Sequence, residues 1–208
     1  MNIIESLQWR YATKKFDRNK IIPQDKIEVL KEAFNLTATS YGMQPVKLLV
    51  LSDKKRQEDL LPLSMNQQQI ATASHVLILA GADINNVSIN TYFDSVKQVR
   101  GTSEEILNPF RTYLLDNFSN KTEAEKETFI KNQAYIALGN LLTVCALERI
   151  DACPMEGFEP KAYDEFFNLE EKGVKSLLVI PIGYRAEDDM FSTLKKVRKS
   201  IDESVIDL

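Results

Sequence analysis

Two clusters of basic residues, one near each end of the chain, carry the side chains best suited to bind an anion. Residues 10–15 read Arg10-Tyr-Ala-Thr-Lys14-Lys15, and residues 195–199 read Lys-Lys-Val-Arg-Lys. Arginine and lysine together make short, charge-assisted hydrogen bonds to a phosphate. Basic runs also occur as solvated faces or as helix ends that complement the helix dipole. Charge alone favours this second explanation, so phosphate binding needs support from other features of the sequence.

The glycine content restricts how a phosphate could be bound. The chain of 208 residues has only seven glycines, and the nearest two, Gly173 and Gly183, are ten positions apart. Neither G-x-G-x-x-G nor G-x-x-x-x-G-K-[ST] can occur, which excludes the dinucleotide-binding fingerprint and the P-loop. We therefore expect any phosphate to be held mainly by arginine and lysine side chains, with a helix N-terminus as a further contributor.

Histidine and cysteine are scarce. His75 is the only histidine, and Cys145 and Cys153 are the only cysteines, too few for a zinc site, which takes about four such ligands. We therefore predict no metal site. His75 opens an apolar run and is expected to pack at the end of a strand rather than to serve a catalytic triad. The cysteines lie beside apolar segments, and we expect buried free thiols in a reducing compartment.

The overall composition excludes further classes of protein. Lys+Arg 26 against Asp+Glu 30 gives a net charge of −4, which does not fit a nucleic-acid-binding protein. The longest apolar stretch, residues 134–147, falls short of the roughly 20 residues of a membrane span, and the N-terminus lacks a signal-peptide pattern. No Pro-, Gly- or Ser-rich linker divides the chain. We expect a single domain, residues 1–208, in the cytoplasm.

Hydrophobic periodicity predicts an α+β fold with about six helices and three or four strands. A tail of β character, residues 204–208, has no strand partner nearby in the sequence, and residues 91–118 are expected to be helical or irregular, with breaks near Gly101 and Pro109. The acidic run 187–189 is expected to be a solvated loop. Further helices are predicted over 2–10, 24–35 and 66–72 and after Ser52, and strands over 46–51, 76–80 and 174–183.

The longest predicted helix covers residues 123–149. Thr122 and Glu125 have the spacing of a capping box, which marks a helix start. From 134 to 147 the helix is apolar on every side, which is typical of a helix that protein encloses all round. Such a helix can be the centre of the core or half of a subunit interface.

Five short motifs occur in order along the chain: Arg10-Tyr-Ala-Thr-Lys14-Lys-Phe, Gln44-Pro45, Pro154-Met-Glu156-Gly157-Phe158, Pro181-Ile-Gly183-Tyr and Lys196-Val-Arg198. Taken together, they resemble the FMN-dependent nitroreductases and the related dihydropteridine reductases. The resemblance implies a nitroreductase fold, with a mixed, mainly antiparallel sheet flanked by helices. It further implies a homodimer that binds two FMN at its interface, exchanges its C-terminal tails, and takes hydride from NADH or NADPH in a ping-pong reaction.

The same resemblance implies roles for individual residues. Arg10, Lys196 and Arg198 would hold the FMN phosphate. Lys14 would lie beside the pyrimidine ring, where an ammonium group stabilises the negative charge of reduced flavin. Backbone N–H groups of Glu156 and Gly157 would lie near flavin N5, although a plain turn is the other explanation for that pair. Further flavin contacts are implied for Ala12, Asn66, Gln69 and Met155 of one subunit and for Thr39, Ser40, Gly42 and Gln44 of the other.

Three positions depart from the family pattern. Ala12 stands where a hydroxyl residue is usual, Gly42 where an asparagine is common, and Gln69 where close relatives have a second lysine. The last departure is expected to lower the flavin potential. Phe110, Tyr113 and Phe118 either cover the flavin or pack in the core, and the sequence leaves both open.

Several functions remain open on this scaffold. A nitroreductase acting on nitroaromatics, quinones or other electron-poor acceptors is the preferred one. Dihydropteridine, flavin and enone reductases are alternatives within the enzymes, and a non-catalytic FMN-binding module or a plain interaction protein are alternatives outside them.

Overall fold

The computed structural model describes residues 2–208 and confirms the α+β fold class. Four strands form one antiparallel sheet in the order β1-β2-β4-β3. The strands are β1 (Val46–Leu51), β2 (His75–Ala82), β3 (Asp151–Ala152) and β4 (Val174–Gly183). The α-helices of the described chain are α1 (Ile3–Trp9), α2 (Gln24–Asn35), α3 (Lys54–Asp59), α4 (Gln69–Thr72), α5 (Asn86–Arg100), α6 (Glu104–Ser119), α7 (Glu123–Leu147), α8 (Pro160–Phe167) and α9 (Ile201–Ser204).

Strand β2 is an inner strand of the sheet and contributes side chains to two hydrophobic cores. Because successive side chains of a strand point to opposite faces, Leu77 and Leu79 pack on one face with α2 and α7. Val76 and Ile78 pack on the other face with residues of α4 and α8. His75, the first residue of β2, is buried and its Nδ1 lies 2.9 Å from Ser74 Oγ. Its packed position at a strand end is therefore confirmed.

Helix α7 begins with the predicted capping box: Glu125 N donates to Thr122 Oγ1 at 3.3 Å, and Thr122 N donates to Glu125 Oε2 at 2.8 Å. One face of the helix packs on the sheet, with Ala134 and Leu141 fully buried. The opposite face is open, since 46% of Ile136 is exposed. Enclosure on all sides is therefore wrong for the single chain.

Several other boundaries differ from the sequence prediction. Gly101, in the left-handed region at φ 67°, ends α5 as expected, but Pro109 lies inside α6 without ending it. The two-residue strand β3 was not predicted, because so short a segment has no periodicity. In the tail, α9 begins at a capping box formed by Ser200 and Glu203.

Three further observations concern the thiols, membrane crossing and metal binding. Both cysteines are buried free thiols, as expected. Within residues 2–208, no helix combines the length and the apolar character that crossing a membrane requires. The same residues contain no group of three or more His, Cys, Asp or Glu side chains that could hold a metal ion.

Candidate active site

The two basic clusters meet at one cavity of about 480 Å³. Its walls come from the end of α1 and the segment after it, and from the segment that precedes α9. Five of the site residues expected from the sequence line this cavity: Arg10, Ala12, Lys14, Lys196 and Arg198.

Within the described residues, the phosphate-site cations of this cavity lack acidic partners. Among residues 2–208, neither Arg10, Lys196 nor Arg198 has a carboxylate within ion-pair distance. Burial and the charge of Arg198 lower the pKa of Arg10. Burial and the two guanidinium charges lower the pKa of Lys196. Three mutually repelling cations on an acidic chain form a ready site for an anion.

Lysine 196 also joins the two ends of the chain directly. Its Nζ donates to Leu7 O at 2.8 Å and to Arg10 O. These carbonyls belong to the C-terminal end of α1, where the helix dipole favours a cation.

Stacked cations fix the end of α1, and with it Arg10. The guanidinium carbons of Arg185 and Arg149 lie 4.3 Å and 4.7 Å from the centre of the Trp9 ring. Arg185 is itself held by the buried Asp151, because its Nε donates to Asp151 Oδ1 at 2.8 Å. Strand β3, which carries Asp151, thereby positions Trp9 and the residue that follows it.

A buried carboxylate fixes the backbone at Lys14. Asp189 Oδ2 accepts from Lys14 N at 2.7 Å and from Lys15 N at 2.9 Å, and its Oδ1 accepts from Phe191 N at 2.9 Å. Only 3% of Asp189 is exposed. The expectation that residues 187–189 form a solvated loop is therefore wrong for Asp189, because its carboxylate is occupied by three backbone donors.

The side chain of Lys14 lies beside two other polar groups. Its Nζ is 3.7 Å from Cys153 Sγ, and Gln69 Nε2 is 3.9 Å from the same sulfur. Burial raises the pKa of Cys153, and the Lys14 charge opposes that shift in part. Burial thus favours the neutral thiol of Cys153, and within residues 2–208 Lys14 has no carboxylate within ion-pair distance.

The segment from Met155 to Phe158 forms a tight turn. Met155 N donates to Val179 O at 2.8 Å, and Phe158 N donates to Glu156 O at 3.0 Å. Within the described chain, the N–H groups of Glu156 and Gly157 have no acceptor. Residues 156 and 157 are therefore a turn, as one explanation held, and also present two free donors, as the other explanation requires.

Close neighbours surround this turn. The hydroxyl of Tyr135, on the open face of α7, donates to Glu156 Oε1 at 2.5 Å. A Cβ atom on Gly157 would lie 2.8 Å from Gln67 Nε2, so any larger residue there would displace the end of the Gln67 side chain. Asn66 lies in that loop with a left-handed backbone, φ 56°.

Four residues were expected to contact the flavin of the other subunit: Thr39, Ser40, Gly42 and Gln44. They lie in the segment between α2 and β1. Ser40 N donates to Gln133 Oε1 of α7 at 2.9 Å. Gln44 Nε2 donates to Asn35 O of α2 at 3.3 Å, and Gly42 N donates to Thr39 O at 3.0 Å. In the described part of the chain, none of their hydrogen bonds reaches the two basic clusters.

The structure buries one of these three aromatic residues and exposes the other two. Phe118 is 2% exposed and packs in the core. Phe110 and Tyr113 are 41% and 51% exposed and stack with ring centres 6.2 Å apart. Phe110 lies 6.2 Å from Tyr41, so this open pair adjoins the segment 39–44.

Comparison with known proteins identifies the family. A profile of the Nitroreductase family matches residues 7–184. The major NAD(P)H-flavin oxidoreductase of Aliivibrio fischeri is 32% identical over 98% of this chain and 97% of its own. A nitroreductase structure from Exiguobacterium sibiricum in complex with FMN superposes with a TM-score of 0.84, at 20% identity, over 99% of this chain and 97% of that one. The chain belongs to the nitroreductase family.

Three residues that contact the candidate site were not predicted as part of it from the sequence: Gln67, Tyr135 and Asp189. Gln67 lies one position after Asn66, which the resemblance implied as a flavin contact, and inside the helix predicted over 66–72. Neither Tyr135 nor Asp189 belongs to a recognisable pattern, because each meets its partner only through the tertiary fold.

The Asp189 contacts predict a specific loss of stability. In Asp189→Asn, one acceptor oxygen becomes an NH₂ group that cannot accept from either Lys14 N or Lys15 N. Hydrogen bonds to a charged group are worth about 1.5–3 kcal/mol each, so we expect a drop of at least about 1.5 kcal/mol in the free energy of unfolding in urea. Asp188→Asn, next door, serves as the control: it removes only an exposed ion pair with Lys15 and should lower that free energy by less than about 1 kcal/mol. Equal stability of both variants would contradict the role of Asp189.

Proposed function

We propose that this chain is an FMN-dependent NAD(P)H oxidoreductase of the nitroreductase type, built as one domain and active as a homodimer in the cytoplasm. The observation that carries the proposal is the set of uncompensated cations around one cavity, to which both ends of the chain contribute. The relatives named as flavin oxidoreductase and nitroreductase support it.

The residues present fit FMN. A phosphate dianion would offset two of the three positive charges of Arg10, Lys196 and Arg198, which have no acidic partner among the described residues. The guanidinium groups supply forked donors, and the ammonium group supplies a point charge. Lys14, on the same cavity, would then lie toward the ring system. The free N–H groups of Glu156 and Gly157 can donate to a ring nitrogen.

When bound, FMN supplies the hydride chemistry, taking two electrons from NAD(P)H and passing them to an acceptor. Lys14 contributes a fixed positive charge that favours electron uptake in its vicinity. Asp189 holds the Lys14 backbone in place. Gly157 leaves room for the Gln67 amide, which lies where a Cβ atom of a larger residue would point.

Several electron-poor acceptors are compatible with this site. The exposed stacked pair Phe110 and Tyr113 offers flat apolar surface for an aromatic acceptor such as a nitroaromatic or a quinone. Free flavin is a second candidate acceptor, favoured by the name of the Aliivibrio fischeri relative. If NAD(P)H and the electron acceptor occupy the same binding position one after the other, the kinetics are ping-pong.

A dimer would complete the site and cover exposed apolar surface. Strand β1 is an edge of the sheet, and the tail ends in exposed apolar side chains, with Val205 at 53% and Ile206 at 84%. Exchange of tails between subunits would cover these side chains. In the same dimer, the segment 39–44 of one subunit would contact the FMN of the other subunit.

Two measurements test the proposed function: the binding of FMN by cofactor-free protein and the reduction of the bound FMN by NADH or NADPH. Cofactor-free protein titrated with FMN should bind it and turn yellow, and NADH or NADPH should bleach the complex without oxygen. Arg198→Ala should weaken FMN binding by at least about tenfold, because one charge-assisted contact to phosphate is lost. Lys199→Ala, beside it but outside the cavity lining, is the matched control.

The outcomes separate the candidate functions. A protein that never takes up FMN would contradict the proposal entirely. One that takes up FMN but resists bleaching by either nucleotide is a binding module rather than an enzyme.

The lysine missing at position 69 predicts a measurable shift in potential. Gln69→Lys adds a charge near Lys14 and should make the FMN midpoint potential more positive by about 15–30 mV, the equivalent of about 1 kcal/mol for a two-electron couple. Gln68→Lys, at an exposed neighbour, should shift the potential less. Spectroelectrochemistry that gives equal potentials for Gln69→Lys and the unaltered protein would rule out this electrostatic role.

Removal of the tail tests the exchanged dimer. A chain ending at Lys199 keeps all three phosphate cations but should become monomeric and bind FMN more weakly. Light scattering measures the mass, and Ile206→Asp should act in the same direction as the deletion. Asp207→Ser, at the adjacent position, should remain dimeric. A truncated protein that stays a flavin-loaded dimer would contradict tail exchange.

A further inference from the structure

One side chain reaches the backbone of the turn at Gly157. Gln67 Nε2 donates to Gly157 O at 2.8 Å. The same loop also binds the turn through its backbone, because Glu159 N donates to Leu63 O at 2.9 Å. Gln67 lies apart from the lining of the cationic cavity.

A second glutamine sets the orientation of the Gln67 amide. Gln69 Nε2 donates to Gln67 Oε1 at 3.2 Å, and Gln69 is only 6% exposed. Since the Gln67 oxygen is occupied by this donor, its NH₂ group faces Gly157. Gln69 is also 3.9 Å from Cys153 Sγ, which is 3.7 Å from Lys14 Nζ. A chain of polar contacts thus runs from Lys14 to the turn.

The turn contains Gly157, so its backbone needs a contact such as the bond from Gln67 to hold one conformation. Glycine has the greatest freedom of backbone rotation, and the hydrogen bond from Phe158 N to Glu156 O spans only Gly157. Tyr135 binds the side chain of Glu156, not its backbone. The bond from Gln67 is therefore the side-chain contact that restrains the peptide unit after Gly157.

We propose that Gln67 is a positioning residue: it holds the Gly157 peptide so that the free N–H groups of Glu156 and Gly157 point toward the cofactor site, and Gln69 fixes the orientation of its amide. This inference rests on the proposed function, since it assigns those N–H groups to the flavin. Gln67 acts through Gly157 and has no contact of its own with the reacting atoms.

The test compares Gln67→Met with Gln68→Met. Methionine has a similar length and cannot donate to Gly157 O, and Gln68 is the exposed neighbour. In cofactor-free protein, the amide hydrogens of Phe158 and Glu159 should exchange several-fold faster in Gln67→Met than in the unaltered protein. Gln68→Met should match the unaltered protein. This measurement needs neither FMN nor turnover.

The loaded protein gives the second readout. With FMN labelled with ¹⁵N at N5, Gln67→Met should shift the N5 resonance, because the donor to that atom is displaced. Reduction by NADH or NADPH should slow by about 3- to 10-fold, the worth of one hydrogen bond, with KM for the nucleotide unchanged. Gln69→Leu should shift the resonance in the same direction by a smaller amount, and it serves as the test variant if Gln67→Met fails to fold.

The outcomes distinguish this inference from the function on which it rests. Unaltered protein that does not bind FMN overturns both. FMN binding with the same N5 resonance and the same amide exchange in Gln67→Met and Gln68→Met overturns only the positioning role.

Discussion

The candidate site depends on positive charge that the chain leaves uncompensated. Lys196 and Arg10 are 186 positions apart in the sequence, yet the lysine donates to the Arg10 carbonyl. Arg198 is close enough to lower the pKa of both. Like charges brought together and partly buried cost free energy. Part of that cost is offset because Lys196 also binds the C-terminal carbonyls of α1, and an anion would offset the rest.

Acidic residues near the site are engaged elsewhere, which keeps the cations available. Asp189 is occupied by three backbone donors, and Asp151 by Arg185. Each carboxylate is buried, so neither can turn toward the cavity without leaving its donors unpaired. The two aspartates therefore build the framework of the site, one at Lys14 and the other at α1, without neutralising it.

The sequence predicted the parts of the fold and site that depend on local patterns. The capping box of α7, the glycine that ends α5 and the strand periodicity of β1, β2 and β4 are local signals, and the structure confirms them. The basic clusters were also visible, but their meeting at one cavity followed only from the family resemblance. Charge patterning alone favoured solvated surfaces, because a sequence does not show which charges have partners.

The rest of the site depends on contacts between distant segments. In the sequence, Asp189 is part of an acidic run, and only the tertiary structure shows its backbone donors at residues 14 and 15. In the sequence, Tyr135 is one more apolar position of α7, and only the tertiary structure shows its contact with Glu156. The two-residue strand β3 has no period to detect, although it carries the aspartate that holds Arg185.

In the proposed dimer, each chain would provide only part of one site. The phosphate cations, Lys14 and the turn at Gly157 belong to one region, whereas the segment 39–44 is bonded to α2 and α7. If that segment serves the partner's cofactor, as the proposed dimer requires, each FMN contacts both subunits. A ligand that binds only the assembled form stabilises it by mass action. Cofactor affinity and subunit association would then be linked, and the open apolar face of α7 would be buried in the same step that completes the site.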